Sequence, residues 1–202
     1  MALNNLAALK ASAAAWIERA GDPAVETIVD DCVALCEARV NKTPNMRISH
    51  METGAIITLE DGRGELPADF LAMKRVVVST GVPYVLDYAE PSTYGPSAPI
   101  EEGTQFYTIV GREIRARTAS TLTILYYAKI PPLTSVENTN WLLTKAPDIY
   151  LYGTILELLN ALEGDGVEKY AGMFGAAVEG LIQSETFSRG GTLTMRASMP
   201  AP

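Results

Sequence analysis

Histidine is almost missing from this chain: His50 is the only one among 202 residues. That excludes a catalytic triad with an imidazole to spare and any metal site built from several histidines. His50 falls in a loop ahead of a β-branched run, where a surface or hydrogen-bonded structural role is the plainer reading. Cysteine is nearly as scarce. Cys32 and Cys36 are the only two, four residues apart on one face of a predicted helix. A disulfide at that spacing would strain the helix, and two ligands do not complete a zinc site, so both read as small core residues. Two thiols without a disulfide framework suit a reducing compartment. Positive charge is in deficit as well. Lys and Arg number 16 against 24 Asp and Glu, a net charge of -8. That argues against a protein that grips phosphates, though not against a surface past which DNA slides without sticking. No apolar run approaches the ~20 residues that cross a bilayer. The N-terminus lacks the basic and apolar segments of a signal peptide. A soluble protein made in the cytosol, with no membrane partner, is expected. Gly62-Arg63-Gly64 lacks the Lys-Ser/Thr of a phosphate-binding loop, and no cofactor or metal is expected.

What is present is a globular composition, 48% apolar and 20% charged. The organising stretch runs from Thr139 to Gly153, where a strand-rich region gives way to a strongly apolar helix. Pro147 suits the first turn of a helix, because its missing N–H would be unpaired there. Asp148 sets a carboxylate against the positive end of the helix dipole. Ile149 to Leu162 is apolar nearly all round, the pattern of a helix buried among other elements.

Around it the chain reads in order. Leu6, Leu9, Ala13, Trp16 and Ala20 predict a first helix over residues 3–20. Asp22 as N-cap and Pro23 at the first position open a second, and the short turn between the two predicts an antiparallel hairpin. After Pro44 the period changes. Ala55–Leu59, Met73–Ser79, Tyr84–Tyr88, Phe106–Val110, Glu113–Arg117 and Leu122–Tyr127 read as short, mostly antiparallel strands, with Gly111-Arg112 as a tight turn. Pro91 to Pro99 reads as an exposed loop. A third helix is predicted from about Thr144 to Glu163, and a fourth from Val167 to about Phe187, capped by Asp165. In the fourth, Gly172, Ala176, Gly180 and Ser184 recur every four residues, a ridge of small side chains that admits another helix. That helix belongs either to this chain or to a neighbouring subunit. Thr192–Arg196 is strand-like. The fold expected is therefore α+β: a four-helix bundle of two helical hairpins with an inserted small antiparallel β domain and an extended C-terminal tail. Residues 1–43 and 140–187 form the bundle, 44–139 the β domain and 188–202 the arm.

Catalytic signals are thin. Glu157 stands within the apolar third helix, where burial could raise its pKa as in a glycosidase acid. Facing outward or pairing with a base is the blander reading, and no second carboxylate is placed opposite it. Tyr126, Tyr127, Tyr150 and Tyr152 read as packing groups with polar ends rather than a platform for bases.

Asn140-Trp141-Leu142-Leu143 followed by Ala146-Pro147-Asp148-Ile149-Tyr150-Leu151-Tyr152-Gly153 resembles the opening of the third helix in tailed-bacteriophage head-to-tail adaptor (connector, head-completion) proteins. Leu66-Pro67-Ala68-Asp69-Phe70, Tyr107-Thr108-Ile109-Val110-Gly111 and Leu122–Tyr127 follow that family in order and spacing, over roughly residues 20–185; Gly95 to Gly103 departs from it. The resemblance implies a non-enzymatic structural virion protein at the head–tail interface, made in the host cytoplasm. It implies a ring, usually of twelve copies, that binds the portal protein and extends the DNA channel without specific DNA binding. The ring would offer a docking surface to the next tail component (tail terminator, nozzle or tube protein). It implies too that the C-terminal arm meets the portal, through Phe187, Leu193, Met195, Arg196 and Met199. Gly172, Ala176 and Gly180 then stand as subunit or helix packing positions. The rival class is a tail-associated, muramidase-like peptidoglycan glycosidase, which would need Glu157 and a second carboxylate at glycosidase spacing.

Overall fold

The computed structural model describes residues 3–79, 81–92, 105–117 and 120–188. The chain divides into two units. Its ends, up to Ile48 and from Ile130, make one, and Ser49–Lys129 makes the other.

The first unit is helical: α1 Leu6–Trp16, α2 Pro23–Lys42, α3 Trp141–Lys145, α4 Pro147–Ala161 and α5 Val167–Ser188. Three of the starts are capped by side chains that satisfy amides left without helical partners. Asn5 accepts from the Ala8 N–H at 2.8 Å, Asp22 from Ala24 at 2.9 Å and Asn140 from Leu143 at 2.9 Å. Pro23 and Pro147 occupy first positions, as the sequence predicts. α4 is the axis. From Ile149 to Leu159 every residue but Tyr152 is buried, and α1, α2 and α5 all pack on it. Gly153 sits where α2 and α5 close in. A Cβ there would collide with Cys36 Sγ and lie 3.0 and 3.1 Å from ring carbons of Phe174.

The expected four-helix bundle of two hairpins is not what forms. The predicted third helix is two, α3 and α4, broken at Ala146 with φ -138° and ψ 68°. Pro147 is the reason, since its ring disfavours a helical backbone at the preceding residue. The first hairpin also differs. α1 and α2 meet in few places and are held together chiefly through α4. The Lys10–Asp30 ion pair spans the cleft between them, which is lined by Ala7, Ala11, Ala14, Val25 and Val29. Alanine methyl groups bury too little area to hold two helices face to face. Five helices are thus described in place of four.

The second unit carries β1 Glu52–Thr58, β2 Arg63–Glu65, β3 Phe70–Val78, β4 Tyr84–Tyr88, β5 Phe106–Val110, β6 Glu113–Ala116 and β7 Thr121–Ala128. They form one sheet in the order β1-β7-β3-β4-β5-β6-β2. Alternation sends Ile57, Val76, Val78, Leu86, Ile114, Leu122 and Ile124 to one buried face, where they make the core. The sheet curls until its two end strands nearly meet, and Gly64 of β2 permits the approach: a Cβ there would lie 2.8 Å from Leu59 and collide with Ile57 of β1. The expected small antiparallel β domain is corrected accordingly: the described residues of the unit form a nearly closed, barrel-like sheet of seven strands, and β4 pairs with β5 in parallel. β2 is three residues with glycine at its centre, too short to show a period of two. The two-residue turn Gly111-Arg112 is as expected, joining Val110 to Glu113 with Gly111 at φ 61°. The extended tail expected over residues 188–202 lies, beyond Ser188, outside the described residues, as does most of the loop expected from Pro91 to Pro99.

Candidate functional site

The expected assembly residues fall in two groups. Gly172, Ala176 and Gly180 are exposed on α5, and a Cβ built on either glycine meets no atom within 4 Å. At 3.6 residues per turn Phe187 stands on the same face. It is 77% exposed at the end of α5. Ser184, the fourth member of the ridge, turns its hydroxyl back to the Leu181 carbonyl at 2.8 Å. Leu193, Met195, Arg196 and Met199 lie outside the described residues.

The organising stretch performs a different task, which the sequence reading missed. Residues 130–140 return from the sheet to α3 without helix or strand, and side chains hold them down at several points. Asn41 accepts from the Ile130 N–H at 3.0 Å. Glu37 Oε1 accepts from the Leu133 N–H at 2.8 Å and from the Tyr150 hydroxyl at 2.9 Å. Asn140 Nδ2 donates to the Tyr150 oxygen at 2.6 Å and to the Pro131 carbonyl at 2.7 Å. Glu37, Asn140 and Tyr150 are all buried. A buried polar group costs little when its bonds are met, and this chain of bonds meets them. Burial pushes the Glu37 carboxyl above the usual carboxylate range, with the Leu133 and Tyr150 bonds opposing. Burial and the facing Glu37 push the Tyr150 phenol far upward. The available signal was Glu37 itself, an acid on the face of α2 that carries Val29, Val33, Cys36 and Val40.

Other candidates resolve simply. Glu157 accepts from Arg39, at 2.8 Å from Nε with Nη2 closing the pair, so its carboxylate is held by a base 118 residues away in sequence. Glu185 is buried against Lys145. Cys32 and Cys36 are free and buried, as expected of core residues, and burial pushes the Cys32 thiol up to about 11. Exposed His50 lies in a single 3-10 turn, its Nδ1 3.3 Å from the Ser49 hydroxyl. Tyr126 donates to Asp69 at 2.9 Å, joining two of the family-like motifs in the sheet. Among the described residues there is no group of three His, Cys, Asp or Glu placed to hold a metal, and no helix is long and apolar enough to cross a membrane.

No curated protein matches the chain. The SU10 adaptor protein family matches residues 4–196, which takes in both units and the motifs quoted above. The chain therefore belongs to the SU10 adaptor protein family, the head-to-tail adaptors of phage particles.

Proposed function

We propose that the chain assembles as a ring, of twelve copies, beneath the portal of a phage or phage-like particle. The ring binds the portal, extends the DNA channel and presents the docking surface for the next tail component. Membership of the adaptor family carries this reading. Two features of α5 support it. Phe187 is a large apolar side chain left 77% exposed just ahead of the arm of residues 188–202, the segment assigned here to portal contact through Leu193, Met195, Arg196 and Met199. Gly172, Ala176 and Gly180 leave open space along the same helix, the room a neighbouring subunit's helix needs. A weak contact of this kind gains strength when repeated around a closed ring on a template.

The test is the light-scattering mass of the purified chain, alone and after mixing with the portal ring of the same genome. A monomer that joins the portal as a ring, and that fails to do so once residues 188–202 are removed, is the expected result. Absence of association for the full chain, in buffer that keeps the portal intact, overturns the proposal. Association that survives the truncation overturns the assignment of the arm.

A further inference from the structure

The helical unit buries three carboxylates, and they are not held alike. Glu157 faces Arg39 and Glu185 faces Lys145. Glu37 has only neutral donors, the Leu133 amide and the Tyr150 hydroxyl, and among the described residues no cation is paired with it. An ionised carboxylate in such a place keeps most of its desolvation cost. Its position gives that cost a mechanical consequence, because Leu133 lies inside residues 130–140, and the two residues before it, Pro131 and Pro132, have no N–H with which to anchor the backbone.

We propose that Glu37 is a proton-controlled clip on residues 130–140, holding the segment against α2 and α4 while protonated and yielding more readily once ionised. Both donors fall on Oε1, which leaves Oε2 to carry the proton, so protonation sacrifices neither bond. When the segment lifts, water reaches the carboxyl and it ionises as an ordinary glutamate. Burial raises its pKa only while the segment is closed. The closed form therefore binds the proton more tightly than the open form. By linkage, closure is strongest below the ordinary carboxylate range and weakens as pH rises through the raised value. The groups around Glu37 do not take over this titration. Tyr150 from α4 is held neutral by burial and by Glu37 itself, and burial likewise raises Cys36 on α2. The Glu157–Arg39 pair acts on Cys36 from α4 and α2. The segment offers only an amide, its one acid, Glu137, being exposed.

Hydrogen exchange of the full chain, corrected for the intrinsic pH dependence of amide exchange, reads the clip directly at Leu133. As pH rises from the ordinary carboxylate range its protection is expected to fall, by as much as ~tenfold per pH unit while the single proton is being released, and then to level off. Glu37→Gln keeps a carbonyl acceptor without a charge, and should hold Leu133 protected with no such slope. Tyr150→Phe, which keeps the carboxyl and removes one donor, should retain the slope. A flat profile in the wild-type chain overturns the proposal, and that measurement decides even if a variant fails to fold. So does a Glu37→Gln chain that keeps the wild-type slope, or that leaves Leu133 unprotected at every pH.

Discussion

At Gly153 a single missing methyl group sets how closely three helices pack. A Cβ there would strike Cys36 Sγ and press on the Phe174 ring, and both neighbours belong to packed helices. Gly153→Ala should therefore destabilise the chain by about 1–3 kcal/mol through overpacking, even though alanine gains up to ~1 kcal/mol of helix propensity. In a Cys36→Ala background the cost should shrink, a coupling that urea unfolding of the four chains would measure. A Gly153→Ala chain as stable as its parent would mean that the helices shift apart freely. The residue scale also shows which chemistry a sequence displays. Asp22 acts two residues away on Ala24, so its cap can be read from the string. Glu157 left two readings open, because the arginine that pairs with it comes from another helix 118 residues earlier.

Among the elements, α5 raises the clearest question. Gly172 and Gly180 lie in a helix interior with open space beyond them, so the isolated chain gives up stability there without any packing in return. Replacing each with alanine should stabilise the monomer by up to ~1 kcal/mol per site, seen as a higher thermal midpoint. If the stripe receives a neighbouring helix, the same double substitution should weaken assembly on the portal. Better folding with poorer assembly is the expected pair of outcomes, and unimpaired assembly would remove the stripe from the subunit contact. Elements with a strong local signal, such as α2 behind Asp22-Pro23 and β4 to β6 with their sharp turn, stand where the sequence predicts them. β2 escaped because three residues carry no period, and the α3–α4 break escaped because apolar patterning runs on through Ala146.

For the whole molecule, charge sets the terms of assembly. Each copy carries a net -8, so identical copies brought side by side repel one another at long range. Raising salt from ~50 to ~300 mM shortens the screening length about 2.5-fold, enough to blunt repulsion between exposed charges. Self-association measured by sedimentation at high concentration should therefore strengthen with salt. A decrease would point to ion pairs between subunits as the dominant contact. The sequence alone determined the family, through ordered motifs that do not depend on which strands pair, and it determined most helix and strand positions, because caps, turns and periodicity act within a few residues. Only the tertiary structure decided that β1 lies beside β7, that β4 and β5 run parallel, that the sheet curls nearly shut, and that α4 rather than a hairpin partner holds α1 and α2. It alone brought Glu37, Tyr150 and Asn140 together over residues 130–140. These outcomes depend on which buried surfaces fit across long stretches of chain, a competition settled by packing that local pattern does not encode.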